Sequence, residues 1–127
     1  MSLTMKLELV PVPVSDIDRA AAFYADRLGF TLDHDVQPQP GQRFVQLTPP
    51  GSAASIVLGT GLYEPAMSGR LRGLHLVVAD VAAARQQLVA AGVAVSEVVD
   101  LGGVHYAHFA DPDGNTWALQ QIGPFPS

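Results

Sequence analysis

Four histidines, His34, His75, His105 and His108, are the side chains of this 127-residue chain best suited to move protons or hold a metal near neutral pH. Three of them fall in the second half. His75 lies in LRGLHLVV, an apolar run of strand character, where an imidazole can hydrogen-bond a ligand or act as a general base. His105 and His108 are three residues apart in another such run and point to opposite faces of it. His34, in LDHD, reads as a solvated edge residue. Asp111 and Asp113 offer two carboxylates, but Asp-Pro-Asp-Gly is a type I turn sequence that uses Asp for turn-forming Asx hydrogen bonds. Arg43, Arg70 and Arg72 can meet an anion at a cavity rim or be solvated surface. Gly59-Thr60-Gly61 lacks the Lys and the following helix of a phosphate loop.

Composition narrows the choices. With 48% hydrophobic and 15% charged residues, the chain is expected to form one compact domain across residues 1–127. Seven dispersed basic residues and a net charge of −5 exclude a nucleic-acid partner, which needs a concentrated basic face. No apolar run approaches the roughly 20 residues of a membrane span, and the absence of a leader pattern makes a cytoplasmic protein the expectation. Without cysteine there is no thiolate nucleophile, thiolate metal ligand or disulfide.

The elements that must position these side chains come in two copies. Residues 7–29, LELVPVPVSDIDRAAAFYADRLG, are echoed 64 residues later by residues 71–92, LRGLHLVVADVAAARQQLVAAG. Each runs from an apolar strand into an acidic helix start and stops at Gly29 or Gly92. Ser15, with Asp18 three residues on, is the expected first cap, and Asp80 the second. Ile17, Ala20, Ala21, Tyr24 and Leu28 make one inward stripe; Val81, Ala84, Leu88 and Ala91 make the other. Phe23 and Tyr24 are expected in the core. Strands are expected over 30–34, 43–47 and 54–58 in the first copy, and over 93–98, 104–109 and 117–122 in the second. Thus module one spans about 5–59, a connector about 60–72 and module two about 73–123, each strand, helix, strand, strand, strand.

Strand alternation sorts two faces. Val10, Val12, Val14, Leu74, Leu76 and Val78 belong beneath the helices, with Val45 and Leu47. Leu9, Pro11, Ser55, Val57, Phe44, Gln46, Thr48, His75, Val77, Ala118 and Gln120 face a cavity. An apolar bowl with a few amides, a hydroxyl and an imidazole suits a small organic ligand.

The doubled order, with VPVSDIDRAAAFYADRLGF at the front and DPDGNTWALQQI at the back, resembles the vicinal-oxygen-chelate superfamily of glyoxalases, bleomycin-resistance proteins and extradiol dioxygenases, over roughly residues 6–123. The resemblance implies an α+β fold of tandem βαβββ modules that curl into a cup-shaped pair of half-barrels. Enzymes of the family place one metal ligand on the first and one on the last strand of each module. The matching positions here are Leu9, Ser55, Gly73 and Ala118, none a metal donor, and among their neighbours only Glu8 offers one. The resemblance therefore implies no metal and no cofactor, and, as in the bleomycin-resistance branch, a homodimer that holds a small, partly aromatic molecule. His75, Phe44, Gln46, Gln120 and His105 are the expected ligand-binding residues. The alternative is a divergent lyase, isomerase or dioxygenase that uses His75 as base, or a metal site built from His75, His105 and a carboxylate.

Overall fold

The computed structural model describes residues 3–122. The chain folds as a mixed α+β protein with two four-stranded sheets. The first contains β1 (Leu9–Pro11), β2 (Thr31–Val36), β3 (Phe44–Thr48) and β4 (Ser55–Gly59), in the order β1-β4-β3-β2. The second contains β5 (Leu74–Val77), β6 (Val99–Leu101), β7 (Val104–Ala110) and β8 (Thr116–Gln121), in the order β5-β8-β7-β6. In each sheet the first strand runs parallel to the last and the other pairs are antiparallel. β1 is an edge strand, which is why it tolerates Pro11.

The helices begin alike. Asp16, not Ser15, caps α1 (Ile17–Ala22), and its carboxylate accepts from Arg19 N at 3.0 Å. Ser15 is taken elsewhere: its backbone N and Oγ both donate to Asp113 of the turn before β8. Asp80 caps α2 (Val81–Ala90) as its sequence suggests, accepting from Ala83 N at 3.1 Å. The continuation of α1, Phe23–Arg27, widens into a π-helical turn with Leu28 N bonded to Phe23 O.

That turn carries Phe23 and Tyr24 into a single hydrophobic core shared by both halves. Val12, just past β1, and Val45, Leu47 and Leu58 of the first sheet join Ala107, Phe109, Trp117 and Leu119 of the second. Tyr24 packs at 5.6 Å from both Phe30 and Trp117, and Phe109 stacks on Trp117 at 6.2 Å. Burying side chains of this size stabilises the fold by roughly 1.5–3 kcal/mol each.

One expected strand is missing. Residues 93–98 run beside β7 without a ladder, tied by Ser96 N to His108 O at 2.8 Å and by Arg85 to the Ser96 carbonyl. The strand that pairs, β6, begins at Val99.

Candidate functional site

Burial fixes which face of each sheet meets the helices. On β3, Val45 and Leu47 are fully buried while Phe44, Gln46 and Thr48 are half-buried. On β7, Ala107 and Phe109 are buried, so Tyr106 and His108 take the opposite, open face. On β8, Gln121 turns toward α2 and its Oε1 accepts from Val81 N at 2.9 Å, which puts Ala118 and Gln120 on the open face.

The open face of the first sheet is a bowl of about 320 Å3 lined by Leu9, His34, Val36, Phe44, Gln46, Val57 and Leu62. Five of these seven are apolar. Phe44 and Gln46 lie here as the strand alternation requires. His34 is exposed on an edge strand, as expected, yet it also lines the bowl, because the register shifts between Leu32 and His34 and brings the imidazole opposite Gln46. Gly59 makes the floor close-fitting. A Cβ there would stand 2.6 Å from Phe44 Cδ1 and 2.8 Å from Leu62 Cδ1. Beside the bowl, the Ser55 and Thr48 hydroxyls are 2.6 Å apart and Thr48 donates to Asp33.

The open face of the second sheet is different in kind. His75 Nδ1 lies 2.6 Å from Gln120 Oε1. The His75 ring meets Tyr106 edge to face, with centroids 5.9 Å apart and planes at 88°, and Tyr106 lies nearly parallel to His108 at 6.3 Å. His75 and Gln120 are therefore brought together. His105 is not brought to them. It pairs with Gln121 in the phase of Ala107 and Phe109, on the helix side, with Nε2 3.6 Å from Asp100 Oδ2. Tyr106 and His108 hold the open-face positions in its place. Because Phe109 and Ala107 enter the core, His108 rather than His105 shares the face of His75.

A metal of the family's type does not fit this donor set. Leu9 stands opposite Ser55 in the β1–β4 ladder, and His75, not Gly73, stands opposite Ala118 in the β5–β8 ladder. The two parallel ladders thus differ by two residues relative to the sequence repeat. Even so, the positions offer one imidazole, one hydroxyl and no carboxylate, and a divalent ion needs more. Among the described residues no three His, Cys, Asp or Glu side chains gather as metal ligands do. His75 and His105 lie on opposite faces of the second sheet.

Between the sheets, on the helix side, lies a buried polar clasp. Tyr24 Oη donates to Asp111 Oδ2 at 2.7 Å and accepts from Trp117 Nε1 at 2.9 Å. Asp111 Oδ1 accepts from the backbone N of Asp113, Gly114 and Asn115, the turn-forming role its sequence implies. Asn115 reaches across to Pro13 O at 2.8 Å. Burial, then the Asp111 carboxylate, pushes the Tyr24 phenol far above its ordinary value. These groups are saturated by one another, so they join the halves and leave nothing for a ligand. A depression of about 550 Å3 beside Arg19, Phe23, Arg27 and Pro112 is likewise a structural seam. There Arg27 donates to Ala91 O at 2.6 Å and Arg19 approaches Asp113. No described helix is long and apolar enough to cross a membrane.

The fold has counterparts among known proteins. The family model described as Glyoxalase/Bleomycin resistance protein/Dioxygenase superfamily matches residues 6–119. The crystal structure of TnmS3, an antibiotic binding protein from Streptomyces sp. CB03234, is 38% identical with a TM-score of 0.85, over 97% of this chain and 100% of that one. A glyoxalase/bleomycin resistance protein from the same organism is 40% identical with a TM-score of 0.78, over 91% and 100%. A superfamily member from Sphaerobacter thermophilus DSM 20745 is 31% identical with a TM-score of 0.82, over 94% and 98%. No curated protein matches the chain.

Proposed function

The chain belongs to the Glyoxalase/Bleomycin resistance protein/Dioxygenase superfamily, and on that premise we propose that it binds a small, partly aromatic organic compound without a metal and sequesters it unchanged. The observation that carries this reading is the bowl of the first sheet. Leu9, Val36, Phe44, Val57 and Leu62 supply an apolar wall, and His34 and Gln46 supply two polar points for orientation. A volume near 320 Å3 is at the small end of what ligand sites use. The 38% identity to an antibiotic binding protein supports the same class of function.

The working unit is a homodimer. Val77 is 66% exposed and Leu101 61% exposed on the open face of the second sheet, an apolar surface that a second copy would cover. In that arrangement the second sheet of one copy lids the bowl of the other, and His75, Gln120, Tyr106 and His108 complete the site.

Calorimetric titration with a panel of aromatic metabolites and antibiotics tests the proposal. Micromolar binding of at least one compound, recovered intact, is expected. Turnover of a glyoxalase-type substrate with no such binding would sink it. A second reading, a divergent lyase or isomerase with His75 as its base, draws on the short His75–Gln120 hydrogen bond. Under that reading His75→Ala abolishes turnover and leaves the melting temperature nearly unchanged.

A further inference from the structure

We propose that the second sheet selects ligands that carry a free aromatic hydroxyl, with His75 Nε2 accepting its hydrogen bond. The inference rests on the small-molecule function proposed above and specifies the class of molecule. It starts from one asymmetric contact. An amide oxygen can only accept, so the 2.6 Å contact between Gln120 Oε1 and His75 Nδ1 holds the ring hydrogen on Nδ1. In neutral imidazole that leaves Nε2 with a bare lone pair. No other hydrogen bond to the His75 ring occurs among the described residues.

The surroundings favour a neutral donor over an anion. Tyr106 stands against the ring edge to face and restrains its rotation, so the lone pair is held in one direction. The ring itself is exposed on this face, so a ligand can reach Nε2 from solvent. Along the open face, β5 adds Val77, β6 adds Val99 and Leu101, β8 adds Gln120, and β7 adds Tyr106 and His108. None is Lys or Arg, so a carboxylate or phosphate finds no cation there. A planar phenol fits better, since its ring can lie along Tyr106 and His108 while its O–H donates to Nε2.

Equilibrium dialysis with 2-naphthol and 2-methoxynaphthalene at pH 7.5 tests this, because the ether carries a methyl group in place of the hydroxyl hydrogen and cannot donate. The full chain is expected to bind 2-naphthol about fivefold more tightly than the ether, the worth of one hydrogen bond. His75→Phe should bring the two affinities together by weakening 2-naphthol alone. Gln120→Leu, which frees the ring to change tautomer, should reduce the preference in the same direction. Equal binding of the two compounds by the unaltered chain, or a preference that survives His75→Phe, overturns the assignment of His75 while leaving the bowl as a binding site. Binding of neither compound at millimolar concentration overturns the assignment and the small-molecule function with it.

Discussion

In the first half of the molecule Asp16 sits at φ −137°, ψ 105° and caps α1; in the second, Asp80 sits at φ −146°, ψ 107° and caps α2 in the same way. The likeness ends at the sheets. Leu9 faces Ser55 where His75 faces Ala118, and Gln46 crosses to Val57 where Tyr106 crosses to Gln120. One open face is an apolar bowl and the other a patch of imidazole, phenol and amide. Positions that set chain direction, the Asp caps and the glycine stops, stay equivalent between the halves. Open-face positions have diverged. Ligand recognition should therefore be sought on the open faces, where the halves differ most.

The largest effect is expected where the halves are clasped together. Gly69 is buried at φ +77°, its N donates to Pro13 O, and a Cβ there would collide with the carbonyl of Asp113. Gly69→Ala should cost about 3 kcal/mol or more, read as a fall in the denaturation midpoint at unchanged m-value. An unchanged midpoint would mean that the halves are not locked at this point.

Tyr24→Phe comes next. It leaves Asp111 Oδ2 and Trp117 Nε1 each short of a partner, at about 1–3 kcal/mol. It also has a pH signature. The folded-state pKa of Tyr24 is raised, so its contribution is complete below the unfolded value of about 10 and is lost as pH rises beyond it. The alkaline fall in stability should be shallower in the variant, as thermal melts from pH 8 to 11 would reveal.

Asp16→Ala and Asp80→Ala sharpen the likeness. Each removes one cap, and each should cost about 1 kcal/mol, equal within error. A clear inequality would show that the helix starts are less equivalent than their geometry. The smallest stability effect belongs to an open-face change. Phe44→Ala, at a half-buried position in the bowl, should weaken aromatic ligands by about tenfold in calorimetry while shifting stability far less than Gly69→Ala.

Much of this was legible in the sequence, for physical reasons that differ from place to place. The repeat of Asp16 and Asp80, the glycine stops and the apolar stripes report core packing, which composes sequence strongly. Phe44 and Gln46 could be placed because Val45 and Leu47 leave no doubt about the phase of β3. VHYAHFA gives no such signal, since Tyr106 suits either face, and only the docking of Phe109 on Trp117 decides against His105. His34 reads as edge surface in the sequence because TLDHDV carries polar residues on both faces and the bulge that turns it toward Gln46 leaves no pattern. Ser15 mimics a cap, and its true partner, Asp113, lies 98 residues away. The two-residue slip that sets His75 opposite Ala118 is equally silent, since it preserves which face each residue takes.

The most direct test is native mass spectrometry of the protein with a bound aromatic ligand, followed by recovery of that ligand. Sequestration in a metal-free bowl requires a complex with ligand and no metal, from which the compound returns chemically unchanged, and whose yield collapses in Phe44→Ala. A stoichiometric metal in the complex, or a recovered compound altered in structure, would contradict it.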